Sequence, residues 1–413
     1  MIVNHMSSSS PHFLDFSELG AASNYDGLFL TLESVFPGGA SVVNLKAIYR
    51  PRPGSPFHTV TLKNGEQRVL WSIFTPQQID IDVQHPQGRA YLDSILQALT
   101  ASGVRRAACG VRMMRLDAVG YAKKKAVTNC FMMPESFDFI DAFAAGARAL
   151  GLGVLVKVHA HHRKQIEIAK RVDRVYDFAL PPLVLHAFFF KTARYLKAWL
   201  AIRPSNAVTV HDTHDGIGII DICADPADRT GAPGLVPLAE VDKLVEMIHV
   251  NSQGQSRKAT GATASNLDPY QVNCTFFDAM GRDGRSYLLA RTLQFFMPGV
   301  PQVYYVGLLA GCNDMKPLAN TRVGRDINRH HYTGVEVENT LVEPVVQQLI
   351  ALIRLRNTRP GFNGNFAFDG AMDNTLCMRW THGKELASLF IDFFDRSFDL
   401  QLDGAQGHQT LRF

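Results

Sequence analysis

Little in this 413-residue sequence points to nucleic acid, a membrane or a disulfide scaffold. No run of like charge stands out: 42 lysines and arginines against 38 acids leave a formal charge of +4 with no basic block. A dedicated nucleic-acid binder needs such a block to neutralise phosphates, so that class is set aside. The six cysteines (Cys109, Cys130, Cys223, Cys274, Cys312 and Cys377) are scattered, without a CxxC pair or other metal-ligand spacing. They read as reduced thiols in a cytoplasmic protein, with no metal site. The longest apolar run, Phe178 to Phe190, contains Pro181, Pro182 and His186 and is too short to span a bilayer. The opening Met1-Ile2-Val3-Asn4-His5 has the pattern of a strand and not of a secretory signal.

What is present is an ordinary globular composition, 46% hydrophobic and 19% charged, in a chain long enough for one large α/β domain with appendages. From about Met6 to Val83 it is rich in Ser, Gly and Pro and reads as irregular. From Gly88 onward helices alternate with short buried strands. Tyr91 to Thr100 places Leu92, Ile95, Leu96 and Leu99 on one helical face. Strand Arg112 to Asp117, helix Ser136 to Leu150, strand Gly153 to His159, helix Gln165 to Arg171 and strand Val172 to Ala179 follow. Helix Leu183 to Leu200 and strand Ala207 to His211 come next. After a polar insertion, Tyr270 to Met280 and Tyr287 to Met297 read as helices and Pro301 to Val306 as a strand. Pro344 opens an amphipathic helix through Arg356, with Val345, Val346, Leu349, Ile350 and Ile353 on one face. Beyond Pro360 four short strands form a small β appendage. Repeated βα units of this length imply parallel strands, with a barrel as the favoured arrangement.

Chemistry concentrates at strand ends. In Arg112-Met113-Met114-Arg115-Leu116-Asp117-Ala118-Val119-Gly120-Tyr121 an apolar strand ends on a carboxylate, and Arg115, two residues earlier, points to the same face. A neighbouring cation keeps an acid ionised, which suits a nucleophile. The plainer reading is a strand-end Asp that caps the next helix or pairs with an arginine. Lys157 and His159 close the next strand, and His214 with Asp215 follows a third. In a barrel such ends line one mouth. An ionised Asp, imidazoles and a second carboxylate there suit transfer of a glycosyl group through an oxocarbenium-like transition state.

With these residues in view, the chain resembles the α-amylase superfamily, and within it the sucrose phosphorylase branch. Ile2 to His5, Arg115 to Tyr121, Val156 to His159 and Thr213 to Gly216 look like the four conserved regions of the superfamily. Tyr49 to Gly54, Phe74 to Asp82, Cys130 to Met133, Arg174 to Pro182, His211 to Ile219, Asn266 to Val272, Phe295 to Leu308 and Gly324 to Tyr332 read like the branch. The resemblance implies a (β/α)8 TIM barrel made of residues 1–5 and 84–359, with domain B at 6–83. It also implies a second insertion at 217–268 and a short C-terminal β domain at 360–413. It implies reversible phosphorolysis of sucrose to α-glucose 1-phosphate and fructose by retaining double displacement, without cofactor or metal. By motif, Asp117 matches the nucleophile and Asp215 the transition-state stabiliser. His5, Arg115 and His214 fall at the glucosyl subsite, and His159 is a further substrate-binding position. Tyr121, Tyr49, Arg52, Gln271 and Arg325 fall near the acceptor and phosphate, where guanidinium forks suit a phosphate.

Three departures from the family pattern stand out. Where the family carries a V-E-V-H run with the acid/base glutamate, this chain has Val156-Lys157-Val158-His159. Retaining transfer needs two carboxyl groups ~5 Å apart, one of them protonating the leaving oxygen. A lysine ammonium, ordinarily with a pKa of ~10.4, is a weak acid and a natural ion-pair partner for Asp117. Second, the N-terminally truncated sequence starts inside barrel strand three, short of two βα units, and the expectation is an incomplete barrel with unpaired edges. Third, a doubled Gly103-Val104-Arg105 / Gly110-Val111-Arg112 looks like a small insertion before the nucleophile strand. Three functions therefore stay open: an impaired sucrose phosphorylase, an inactive sugar-binding relative, and a related phosphorylase or hydrolase with another acceptor. Pro51 and the Asp268-Pro269-Tyr270 run add no cation for a phosphorylated fructose, which favours plain sucrose. Oligomeric state is open too, a homodimer included.

Overall fold

The computed structural model describes residues 1–50, 54–101, 112–225, 231–261, 271–404 and 407–411. The doubled Gly-Val-Arg segment and Asp268-Pro269-Tyr270 lie outside the described residues, as do Pro51 and Arg52; of the first, only Arg112 is described. The chain divides into two compact units: Met1–Val158 with Arg163–Tyr176, and His159–His162 with the described parts of Asp177–Thr263 and Pro269–Phe413.

The first unit holds strands β1 (His5–Ser7), β2 (Phe57–Thr61), β3 (Gln67–Trp71), β4 (Gln78–Asp80), β5 (Met113–Leu116) and β6 (Gly153–Val156). It also holds most of β7 (Arg174–Asp177). β5, β6 and β7 are parallel, with Met114 beside Val154 and Val156 beside Val175. Their burial explains their sequences. Val154, Leu155 and Val156 are all buried, as expected of a parallel strand covered on both faces. β5 alternates instead: Met114 and Leu116 are buried while Met113 is exposed, which turns Arg115 to the more open face. The helix Pro134–Ala149 between β5 and β6 starts on Pro134, where a missing N–H costs nothing, and buries Ile140, Phe143, Ala144 and Ala147.

The opening residues differ from a simple strand over 1–5. Ile2 bridges Asp117 in parallel sense, the Met1 amino group donates to the Arg115 carbonyl at 2.7 Å, and β1 itself pairs antiparallel with β4. The stretch 6–83 is more regular than its composition suggested. Ser10 Oγ accepts the Phe13 N–H at 3.2 Å and caps helix Pro11–Leu19, whose Phe13 and Phe16 pack on Phe29 at 5.2 and 5.1 Å. Hairpin β2–β3 delivers Leu70 and Trp71 to full burial.

In the second unit β8 (Ala207–Thr209) runs parallel to β11 (Val300–Pro301), and β9 (Ile217–Gly218) pairs antiparallel with β10 (Gln271–Val272). The C-terminal strands β12 (Asn365–Asp369), β13 (Thr375–His382), β14 (Glu385–Asp392), β15 (Ser397–Asp403) and β16 (Gln409–Leu411) form one antiparallel sheet, a strand more than the sequence pattern implied. Helix Pro344–Thr358 buries Val346, Leu349 and Leu352, a narrower stripe than the five apolar positions suggested.

Three expectations for this unit are corrected, and one stretch left unassigned proves helical. The single helix over Leu183 to Leu200 is two, Leu180–Phe190 and Arg194–Ile202, because Lys191 turns left-handed at φ 55° and closes the first. Tyr270 to Met280 is mostly not helix: β10 is followed by a one-turn helix Phe276–Ala279 capped by Thr275. Pro301 to Val306 keeps only β11 as strand and then enters helix Tyr305–Leu308. The polar insertion contains helix Leu238–Asn251, which buries Val241, Leu244 and Ile248. Among the described residues no helix is long and apolar enough to cross a membrane, no cluster of potential metal ligands occurs, and five cysteines are free.

Candidate active site

Asp117 follows directly on the last residue of β5. Its Oδ2 accepts from Arg115 Nη1 at 3.0 Å, its Oδ1 accepts the Ala118 N–H at 2.9 Å, and Lys157 Nζ stands 3.7 Å from Oδ1. The parallel pairing of β5 with β6 explains the meeting. Leu116 lies beside Val156, so Asp117 and Lys157 are each the next residue on neighbouring strands. The plainer reading of Asp117 as an arginine partner is therefore satisfied, and it does not compete with a nucleophilic role. Ala118 sits at φ 59°, in the left-handed region that a non-glycine residue rarely occupies, at the turn that fixes this carboxylate. Burial opposes the charge on Arg115, but Asp117 and Tyr176 outweigh it and hold the guanidinium more firmly protonated than usual. The Arg115 guanidinium also lies 5.7 Å from the centre of the Tyr176 ring.

His5, Tyr121 and Tyr49 come together in the same unit. The Gln78 amide nitrogen donates to His5 Nε2 at 2.9 Å, and the imidazole packs on Phe74 with 5.0 Å between centres. Burial pushes the His5 pKa down, with Asp80 pulling the other way. The Tyr121 ring meets Phe131 at 4.6 Å, Phe74 at 5.2 Å and Tyr49 at 6.3 Å. Beneath this wall lies a fully buried ion pair that sequence reasoning missed. Lys124 Nζ donates to Asp80 Oδ2 at 2.5 Å, to Asn4 Oδ1 at 2.8 Å and to the Tyr121 carbonyl at 2.5 Å. No local spacing links Lys124 to Asp80 or Asn4.

The second unit gathers another group. Asp215 Oδ1 accepts from Arg325 Nη1 at 2.9 Å, Arg329 Nη2 lies 3.6 Å from the same oxygen, and His214 Nε2 lies 3.4 Å from Oδ2. Arg329 Nε donates to the His214 carbonyl at 2.8 Å. Burial, with the like charge of Arg325 next, lowers the Arg329 pKa. Arg325, expected near phosphate, is thus engaged with a carboxylate. Arg329 was not singled out, although its spacing of four from Arg325 across the turn Gly324–Asn328 was available as a signal. His214 and Arg329 also line a cavity of about 430 Å³ with Tyr304, Tyr305, Asp326 and His331.

His159 is fixed rather than exposed. Its Nδ1 is 3.0 Å from Asp221 Oδ2, its ring stacks on Phe178 at 3.8 Å, and Asp221 Oδ1 also accepts the Ala160 N–H at 3.1 Å. Gly218 is required beside this pair, since a Cβ there would sit 2.3 Å from Asp221 Oδ2 and 2.7 Å from His159 Nδ1. Gln271 enters as the β10 partner of Gly218. Nearby in sequence, Asp212 Oδ2 accepts from the fully buried Arg291 at 2.6 Å, and Tyr287 donates to the Gly307 carbonyl at 2.5 Å while accepting from Arg291. Burial drives His211, which stacks on Phe276, well below the usual imidazole value.

No family model matches the chain. A sucrose phosphorylase of Agrobacterium vitis is 52% identical over 393 residues, covering 95% of this chain and 78% of that protein. A sucrose phosphorylase of Bifidobacterium adolescentis is 49% identical over 388 residues, covering 94% and 75%. The crystal structure of a sucrose 6F-phosphate phosphorylase from Thermoanaerobacter thermosaccharolyticum superposes with a TM-score of 0.88 at 33% identity, covering 100% of this chain and 82% of that one. The fold is accordingly α/β, of the (β/α)8-barrel class with a C-terminal antiparallel β domain, and the class of protein is a carbohydrate-active enzyme of the α-amylase superfamily. Within it, the chain belongs to the sucrose phosphorylase branch.

Proposed function

We propose that the chain moves a glucosyl unit between sucrose and phosphate by retaining double displacement, and that Lys157 impairs the half-reaction that involves fructose. The observation that carries this reading is the carboxylate of Asp117, held at the end of β5 by Arg115 and faced by an ammonium instead of a second carboxyl. In the first step an Asp117 oxygen attacks C1 of the glucosyl unit, and the bond to the fructosyl oxygen breaks. That oxygen leaves with the electron pair and needs a proton. In the second step a phosphate oxygen attacks C1, the bond to Asp117 breaks, and the electron pair returns to the carboxylate. Two inversions at C1 give net retention.

In this reading the other residues serve binding. Asp215, nearly buried and held by Arg325 and His214, is suited to stabilise positive charge that develops on the sugar. His5, neutral through burial, and Arg115 offer donors to glucosyl hydroxyls, with His159 oriented by Asp221. Tyr121 and Tyr49 supply an aromatic wall, and Gln271, Arg325 and Arg52 are assigned to acceptor and phosphate. The partners are sucrose, phosphate, α-glucose 1-phosphate and fructose. The test is phosphate consumption with sucrose, measured beside an Asp117→Asn variant. Turnover that vanishes in the variant is expected, and turnover that survives it contradicts the assignment.

A second reading, an inactive sugar-binding relative, is favoured by the same 3.7 Å approach of Lys157 to Asp117. It predicts calorimetric binding of α-glucose 1-phosphate with no release of fluoride from α-glucosyl fluoride, a donor that needs no acid.

A further inference from the structure

Helix Gly284–Phe296 is buried without a break from Ser286 to Phe296, and a charged side chain, Arg291, stands in its middle with no exposed surface. A guanidinium taken out of water is costly unless its donors are met. All three nitrogens find acceptors. Nη2 donates to Asp212 Oδ2 at 2.6 Å and to the Tyr287 hydroxyl at 2.7 Å. Nε donates to the same hydroxyl at 3.1 Å, and Nη1 to Gln294 Oε1 at 2.9 Å. Burial opposes the charge on Arg291, but Asp212 and then Tyr287 outweigh it and keep the guanidinium protonated.

This cluster reaches the backbone of two neighbouring stretches. Gln294 Nε2 donates at 2.9 Å to the carbonyl of Thr209, which ends β8, and to that of Gln302, which follows β11. The Tyr287 hydroxyl donates to the Gly307 carbonyl at 2.5 Å. Asp212 lies three residues before Asp215, and the turn between them is tied down again. Asn328 Nδ2 donates to the Thr213 carbonyl at 3.0 Å, and Thr213 Oγ1 accepts the Asp215 N–H at 3.1 Å. Gly307 leaves this arrangement no slack. A Cβ there would sit 1.8 Å from Asp212 Oδ2 and 2.2 Å from Arg291 Nη2. Among the described residues the other Asp212 oxygen, Oδ1, is buried without a hydrogen-bond partner, so Arg291 is what holds this carboxylate.

We propose that Arg291 is a positioning residue for glucosyl transfer: through Asp212 it fixes the turn that carries Asp215, while Tyr287 and Gln294 hold the guanidinium in place. The inference rests on Asp215 stabilising the charge that develops on the sugar, as proposed above. Arg291 is fully buried and does not touch substrate. It acts through geometry. A stabilising carboxylate displaced by about 1 Å loses much of its effect in the transition state, while binding through other residues is little altered. The signature is a fall in kcat at nearly constant KM.

The test measures kcat and KM for α-glucosyl fluoride with phosphate in the full chain and in Gly307→Ala, Tyr287→Phe, Arg291→Lys and Arg291→Met. Thermal unfolding first shows which variants are folded at the assay temperature. Gly307→Ala is the sharpest probe, because it removes no charge and no hydrogen-bonding group and only wedges a methyl against Asp212 and Arg291. It should lower kcat about 10²-fold with KM changed by no more than about threefold. Tyr287→Phe should lower kcat about tenfold, and Arg291→Lys, which returns a cation to Asp212, should keep about tenfold more kcat than Arg291→Met. Adding Gly307→Ala to Asp215→Asn should bring little further loss, since the carboxylate it displaces is already gone. A folded Gly307→Ala with the kcat of the unaltered chain overturns the inference. An equal loss with and without the Asp215 carboxylate overturns it too, as does a rise in KM that accounts for the whole effect; in these cases the proposed function stands. Should Arg291→Met fail to fold, Gly307→Ala and Tyr287→Phe decide alone. Asp215→Asn with unchanged kcat overturns the role proposed for Asp215, and the inference with it, and an unaltered chain without turnover overturns both.

Discussion

Asp117 keeps about a quarter of its side chain exposed (26%) between Arg115 and Lys157, whereas Asp215 is almost closed off (6%) by Arg325, Arg329 and His214. The cations differ in origin as well. Arg115 lies in the same strand as its carboxylate and Lys157 at the end of the neighbouring one, while Arg325 and Arg329 are more than a hundred residues from Asp215 in sequence. The difference fits two tasks. A carboxylate that must reach a carbon atom needs an open face, and one that only stabilises charge can be enclosed and fixed.

That contrast breaks most visibly at the carboxylates themselves. Asp117→Asn should lower turnover of α-glucosyl fluoride with phosphate by about 10⁴-fold or more, because no covalent intermediate can form. Asp215→Asn should cost less, about 10³-fold, with KM nearly unchanged. Steady-state kinetics checks both, and equal losses would erase the distinction of roles. Next in size is the ion pair beneath His5 and Tyr121. Lys124→Ala leaves Asp80 charged and buried without its partner and should destabilise the fold by about 3–5 kcal/mol in denaturant titration. A loss under 1 kcal/mol would mean that Asp80 is relieved by water or protonation.

Arg325→Ala should reduce turnover by about 10²-fold, since Arg329 remains to hold Asp215. The double variant with Arg329→Ala should lose more than the two single effects added together in free energy. The smallest effect is one of pH. Burial, as first cause, lowers the pKa of both His5 and His211 below the usual 6.5. The unfolded chain gains these protons near pH 6.5, and the folded chain only at lower pH. Stability is therefore complete above about pH 6.5 and falls below it, by at most ~1.4 kcal/mol per pH unit for each histidine. His211→Phe should flatten this acid limb in thermal unfolding, and an unchanged slope would show that His211 is not a source of it.

The same comparison explains what could be read from sequence. Asp117, Arg115 and Lys157 were legible because a strand end and its neighbour are local patterns, and parallel register turns them into one site. The C-terminal strands and the helix from Pro344 were legible through periodicity for the same reason. Arg325 was visible as a residue, but its hold on Asp215 was not, because the two are 110 positions apart and no spacing rule relates them. Lys124 was hidden differently: nothing in its own stretch marks it, and only tertiary contact with Asp80 and Asn4 makes it a core residue. Lys191 split a helix through a backbone angle that apolar periodicity does not register. Helix Pro11–Leu19 was overlooked although Ser10 and Pro11 are a recognisable start signal, because the Ser- and Gly-rich surroundings outweighed it.

The central claim is that Asp117 forms the bond to the sugar while Lys157 stands where an acid would serve. It is tested most directly by mixing the chain with α-glucosyl fluoride without acceptor, quenching in acid, digesting, and weighing the peptide that carries Asp117. The account predicts one added glucosyl group on that peptide, absent from Asp117→Asn and removed when phosphate is supplied before the quench. Fluoride release with that peptide unmodified, or a glucosyl group on another residue, would contradict it.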